Sequence, residues 1–450
     1  MIENSISAIR FLWVVCLPLL LAPGWATAED SLWTSVPQGK ADTWPAWRGP
    51  TGDGVSTGDD LPTQWSATEN IAWQTSLDGW GDSTPAIVGD QIFLTLQNEA
   101  NELRLLRLNA STGKPEWNIL VDTAEPPRKA PRRSSQKFHN LHNMASPSPV
   151  VSGDYVVAHF GNGLLATYTH DGKEVWRHNL QTEFGGYTIW WGHANSPVVF
   201  DGLVISVCMQ DSLADLRDEP VESYVVAHDL KTGEQRWLTK RMPEGTAEEL
   251  DAYTTPLLVE KNGQTQLVIM GGNALDAYDP RTGKQLWYLP KLVGGRTVTG
   301  PVLGEGTIFT TRGMRQPLLA VPLADFQGEV PQKAIEWTVE KSTPDTPSPV
   351  FYHGMLFTVT DDGIAHCYDA DSGKLLWRER LGGNFKASPV AADGKVYFLN
   401  IDGKCTVVAA KDEYQELAVN ELPDTTIASP AIAGGKIFLR GKTYLYCIGK

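Results

Sequence analysis

Residues 279 to 287 read DPRTGKQLW, and the reading of their Thr-Gly-Lys decides the fold. A nucleotide-binding loop of the Walker type needs a Gly five positions before Gly283 and a Ser or Thr after Lys284. Tyr278 and Gln285 stand there instead. The stretch also recurs: AYDPRTGKQLW (277 to 287) has relatives in AHDLKTGEQRW (227 to 237), CYDADSGKLLW (367 to 377) and RLNASTGKPEW (107 to 117), with a shortened TYTHDGKEVW ending at Trp176. Two further copies are decayed, one ending at Trp337 and one with Leu417 in place of Trp. An enzyme needs a single phosphate cradle, so a device repeated along the chain reads as a structural turn.

A second signal keeps step with it: a small residue followed by Pro, at Pro85, Pro149, Pro197, Pro256, Pro301, Pro349, Pro389 and Pro430. Each Pro opens a short apolar stretch, a Gly, Asp or Asn turn, and an alternating strand such as Lys395-Val396-Tyr397-Phe398-Leu399. Eight such units, 40 to 64 residues apart, match the length of a four-stranded propeller blade at their closest spacing. Within a unit, strand A starts at the Pro, where a missing N–H is tolerated. Strands B and C follow, then the Gly turn supplying positive φ, then strand D carrying the Trp. The chain stops after only three strands of the eighth unit, while Asn70 to Leu77 reads as a lone strand D with its own Trp73. Pairing the two closes the ring and removes its open edge. The expectation is an all-β, eight-bladed β-propeller over residues 66 to 450, with Trp73, Trp117, Trp176, Trp237, Trp287, Trp337 and Trp377 docking blade on blade.

The A-x-D-x-x-T-G-K-x-x-W pattern resembles the tryptophan-docking repeat of the PQQ-like quinoprotein alcohol dehydrogenase superfamily, over about Ile71 to Lys450. That superfamily includes PQQ-dependent dehydrogenases and a non-catalytic lipoprotein of the outer-membrane assembly machinery. WPAWRGPTGDGVS (Trp44 to Ser56) resembles the start of a secreted planctomycete-type group of these repeat proteins. The resemblance implies either a binding or scaffold module, or an oxidoreductase that uses PQQ and calcium on an alcohol or sugar, or outer-membrane assembly work. The adjacent-cysteine pair of the larger dehydrogenases is absent; no catalytic residue is assigned, and the binding or scaffold reading is preferred.

At the N-terminus, Met1 to Arg10, an apolar run from Phe11 to Trp25, and Ala26-Thr27-Ala28 form the plan of a cleavable signal peptide, residues 1 to 28. Export to the periplasm or beyond is expected, without acylation at Cys16 and without a transmembrane segment afterwards. Residues 29 to 65 read as an extended lead-in, with Asp53 to Asp60 solvated. The net charge of −15 argues against nucleic-acid binding. Cys208, Cys367, Cys405 and Cys447 form no CxxC pair, and Cys367 and Cys447 fall where other repeats hold Ala227 and Ala277. No metal is assigned.

Propeller ligands sit where the D–A and B–C loops converge. These loops carry His139, His142, Trp190, Trp191, His193, Arg296, Arg312, Arg315, Asn384, Lys386 and Arg440. Together they suggest a cationic, aromatic-walled mouth suited to a small acidic ligand such as PQQ. Three insertions, Val121 to Ala145, Cys208 to Ser223 and Lys240 to Tyr253, suggest a rim for a protein partner or glycan.

Overall fold

The computed structural model describes residues 32–40, 42–124, 141–210, 222–241 and 245–449, besides Met1. His139, the basic run 128–133, the leader and most of the first two insertions lie outside them. Leu32 to Lys450 form one compact unit of eight antiparallel four-stranded blades. Blade 1 runs through Ala86–Val88, Gln91–Gln97, Glu102–Asn109 and Pro115–Thr123. Blades 2 to 7 start at Val150, Val198, Leu257, Val302, Val350 and Val390. Blade 8 joins Ala431–Ala433, Lys436–Arg440 and Tyr444–Ile448 to Ile71–Ser76 from the other end of the chain.

Burial follows strand position. Inner strands such as Lys395–Leu399 are buried on both faces past their first residue, as expected where a sheet is covered on both sides. Outer strands are largely exposed apart from the docking Trp: in Gln235–Arg241 only Trp237 and Arg241 are buried, and in Leu375–Arg380 only Trp377 is. A register shift interrupts the C–D ladder beside the Trp in blades 1, 2, 3, 4, 6 and 8, re-aiming the indole out of its own sheet.

The indole then reaches the next blade. The Nε1–H of Trp73, Trp176, Trp237 and Trp337 donates to the carbonyls of Ala110, Leu230, Pro280 and Ala370 at 2.9 to 3.2 Å. Each acceptor lies three residues before the turn Gly on which the ring rests, Gly113, Gly233, Gly283 or Gly373. Trp117 and Trp377 donate to His170 and Lys411. The turn itself is held by Asp279, whose Oδ1 accepts the amides of Arg281 and Thr282. Trp287 departs from the expected docking: blade 5 lacks the Thr-Gly-Lys turn, and the indole donates to Gln266 of its own blade while packing edge-on against Phe326. Opposite five of the seven Trp residues the facing strand carries Ala227, Ala277, Ala320, Cys367 or Cys447. These two cysteines are therefore small residues making room for an indole. All four described cysteines are buried and unbridged, and burial pushes the Cys367 and Cys447 thiols up to about 12, leaving little thiolate for chemistry.

The lead-in differs from its expectation. Trp44 exchanges backbone hydrogen bonds with Ile87, Val151 donates to Pro45, and Gly54 and Ser56 pair with Ala391. Arg48, 1% exposed, donates to the carbonyls of Asp53 and Pro349. Residues 32 to 65 thus brace blades 1, 2, 4, 6 and 7 from inside, and only Thr57, Asp59 and Asp60 of the stretch from Asp53 to Asp60 are exposed. Burial lowers Arg48 to about 10, offset in part by Asp53.

Candidate functional site: the axial mouth

The residue before each blade-opening Pro is Thr84, Ser148, Ser196, Thr255, Gly300, Ser348, Ser388 or Ser429. Their amides and hydroxyls link blade to blade around the axis: Thr84 N–H donates to Ser148 Oγ, Ser148 to Ser196, and Ser196 to Thr255. Gly300 donates to Ser348, Ser348 to Ser388, and Ser388 to Ser429. Each bond satisfies a buried amide at a strand start, which explains the small polar residue. The belt is interrupted at Gly300, which has no hydroxyl to offer Thr255.

Two residues earlier the same register places Asp82, Ser146, Ala194, Tyr253, Val298, Thr346, Lys386 and Ile427 around a narrow shaft of about 190 Å³ that ends on Trp47 of the lead-in. Above it opens a mouth of about 310 Å³, walled by Leu141, Trp191, Tyr253, Val298 and Ile427 and edged by His142, Arg296 and Lys386. Seven of the eight D–A loops contribute to it.

Of the residues singled out from sequence, His142, Trp191, Arg296 and Lys386 meet at this mouth. His142 Nδ1 lies 2.9 Å from Ser146 Oγ. Trp190 is held one step away, its amide donating to Asp251 and its ring edge-on to Trp191. His193 is 1% exposed, packed between Tyr187 and His159 at 4.8 and 4.6 Å. Burial first, then the neighbouring His159 and His142, holds it well below the ordinary imidazole range and hence neutral. Arg312 is half-buried and Arg315 exposed on the B–C turn of blade 5, and Asn384 is exposed on the rim. Arg440 is 1% exposed and donates to the carbonyls of Ser83 and Thr95 at 2.9 and 2.6 Å, a position within the wall and not at the mouth surface.

The mouth is less cationic than its residue types suggest. Arg296 Nη2 lies 2.9 Å from Asp345 and Lys386 Nζ 2.6 Å from Asp361. Burial raises Asp345, with Arg296 pulling the other way. At Asp361 burial is outweighed by Lys386 and the Thr346 hydroxyl, so its carboxyl sits below the usual range. Both cations are thus neutralised internally. Neither carboxylate was picked out from sequence, since Asp345 and Asp361 occupy no repeat position. Tyr253, Val298, Thr346 and Ile427 were missed too, although counting three residues back from each Pro finds them.

Asp82 is the acid of the shaft. Burial pushes it up to about 7, against the pull of Arg440, the Ser146 hydroxyl and Lys442. A carboxyl raised in the folded state holds its proton more tightly there than in the unfolded chain. Its contribution to stability is full below the unfolded value, near ~4, and is lost as pH rises through about 7. Asp82→Asn is expected to flatten the decline in stability between those limits, by up to ~1.4 kcal/mol per pH unit for one proton. Urea midpoints at pH 4.5 and 7 read this directly; a mutant with the wild-type slope would remove Asp82 as the source.

Comparison with known proteins identifies the family and the fold. The family model described as outer membrane protein assembly factor BamB matches residues 31–215 and 329–444. The intervening stretch, which holds much of blades 3 to 5, folds as the same unit. The chain is 26% identical over 207 residues to the outer membrane protein assembly factor BamB of Yersinia pestis, covering 41% of this chain and 49% of that protein. It therefore spans about half the length of that curated relative. Among solved structures, BamB from Moraxella catarrhalis superposes with a TM-score of 0.57 at 12% identity, over 84% of this chain and 97% of that one. Quinohemoprotein alcohol dehydrogenase from Comamonas testosteroni gives 0.67 at 13% identity, over 92% and 82%. At such identities the structural likeness speaks for the fold alone.

Proposed function

We propose a role for a chain that belongs to the family described as outer membrane protein assembly factor BamB: an exported, non-catalytic binding module whose axial mouth receives a protein partner. The observation that carries the reading is the self-neutralised mouth. A small polyanion needs unpaired cations, but Arg296 and Lys386 already hold Asp345 and Asp361, so an incoming carboxylate gains little that it does not displace. What remains open is the apolar wall of Leu141, Trp191, Val298 and Ile427, the chemistry that seats an aromatic or aliphatic side chain of another protein. Export is supported by the N-terminal leader, and no helix among the described residues is long and apolar enough to cross a membrane.

The residues at the mouth do not fit PQQ, a tricarboxylate, for the same reason, and no step is derived through it. The oxidoreductase alternative rests on the fold shared with the Comamonas enzyme. Titration of the purified chain with PQQ and Ca²⁺, followed by dye-linked oxidation of alcohols and sugars, separates the two. The expected result is no saturable quinone signal and no turnover. Binding with turnover that disappears in Arg296→Ala or Lys386→Ala would replace the module with the enzyme. The narrower role named in the relatives, outer-membrane protein assembly, is read by whether the chain restores outer-membrane protein levels in cells lacking their own BamB.

A further inference from the structure

A separate cluster lies on the outside of the ring, at the joint between blades 2 and 3. His178 sits on the outer strand Glu174–Asn179, Glu183 on the short helix Leu180–Phe184 that follows it, and His228 on the third strand of blade 3, Ser223–Asp229. Asn179 caps the helix by accepting the amides of Gln181 and Thr182, which fixes Glu183 over His178. One ligand atom from each of the three residues falls within 4.8 Å of the others. His178 Nδ1 is 2.8 Å from Glu183 Oε1, and the two imidazole rings are 4.6 Å apart.

Two observations make this more than a coincidence of side chains. His228 is fully buried, yet neither of its ring nitrogens has a hydrogen-bond partner, and a buried polar group left so is costly unless something else satisfies it. His178 Nε2, in turn, is 2.8 Å from the carbonyl of Gly233, so that nitrogen carries the hydrogen and donates it. Nδ1 then faces Glu183 across a single shared proton. A backbone carbonyl orienting one imidazole nitrogen while the other points at a carboxylate is the arrangement that supports a metal-ligating histidine.

We propose that His178, Glu183 and His228 hold a divalent ion of the zinc class, which clips blade 2 to blade 3 and takes the place of the proton between His178 and Glu183. Two imidazoles and one carboxylate select Zn²⁺, Co²⁺ or Ni²⁺ over Ca²⁺ and Mg²⁺, which prefer all-oxygen shells. Tetrahedral zinc holds its donors roughly 3.3 Å apart, so the His178–Glu183 pair, now at 2.8 Å, opens slightly while the distance to His228, within 4.8 Å, closes, with the exposed Glu183 side chain giving way. The side chains of His178 and Glu183 retain 26% and 35% of their exposure, leaving solvent access for a water as fourth ligand.

The experiment is calorimetric titration of tag-free, chelator-stripped protein with Zn²⁺, with Co²⁺ absorbance reporting the coordination. One ion per chain is expected, unaffected by excess Ca²⁺. Affinity should fall roughly tenfold to a hundredfold or more in Glu183→Gln and in His228→Asn and stay unchanged in His353→Asn. Because His228 is buried and its variant can fail to fold, the Glu183→Gln variant, altered on the surface, decides on its own. No binding at 100 µM-scale zinc (on the order of the weakest useful site), an undiminished affinity in Glu183→Gln, or loss with His142→Asn instead would each overturn the site.

Discussion

Replacing residues 66 to 77 with a Gly/Ser linker of equal length is expected to leave the chain unable to hold its ring at ordinary temperature. Ile71 to Ser76 supplies the fourth strand of blade 8, pairing Trp73 with Cys447 and Ser76 with Tyr444, and Leu77 donates to Thr443. Around five ladder hydrogen bonds at roughly 1 kcal/mol each net are lost. So is Trp73, which packs on Phe438 at 6.0 Å and ties blade 8 to the turn of blade 1 through Ala110; large aromatic truncations of this kind cost about 3 kcal/mol when well packed. The sum, of order 5 to 10 kcal/mol, rivals the whole stability of a typical folded domain. It also exposes Tyr444–Ile448 as an unpaired edge that invites aggregation. Thermal melts and size-exclusion profiles of the linker variant check this. A soluble variant melting with the wild type would mean that the ring does not depend on its clasp.

That closure was readable in the sequence because every blade repeats one pattern, so a missing strand at one end and a spare at the other are visible by subtraction. The docking turn was readable for the same reason: Asp279, Gly283 and Trp287 recur as types at fixed offsets. Features that depend on one blade meeting a different segment were not. The Ser or Thr before seven of the eight prolines is plain in the sequence, but its purpose appears only once Ser348 is seen accepting from Gly300 and donating to Ser388. Arg48 looks like a solvent-facing residue of a polar leader until Pro349, far along the chain, is placed against it. The mouth was half legible: its loops could be named from the strand order, but the partners that neutralise Arg296 and Lys386 sit off the repeat, at Asp345 and Asp361. Residue type alone therefore overstated the positive charge. Trp287 shows the limit from the other side, since its docking depended on a turn in blade 5 that the sequence had already lost.

The sharpest test of the repeat itself returns to Gly283. Its φ of +71° lies in the left-handed region, and a β-carbon there would fall inside the indole of Trp237, with Thr239 Oγ1 close on the other side. Thr239 donates to the Gly283 carbonyl at 2.7 Å and Trp237 to Pro280, so the Gly is the socket in which blade 3 seats on blade 4. Gly283→Val combines the cost of a branched residue at positive φ, about 1 to 3 kcal/mol, with overpacking of about the same size. A loss of roughly 3 kcal/mol or more is expected. Gly354 separates the two terms: its φ is +72° and nothing lies within 4 Å of the position a β-carbon would take. Gly354→Val should then lose only the backbone term, about 1 to 3 kcal/mol. Urea unfolding of both variants, followed by the fluorescence of the chain's tryptophans, measures the difference. Equal losses at the two glycines would show that the turn conformation matters and the docking of the Trp does not, whereas a gap of about 2 kcal/mol assigns that energy to the contact between blades.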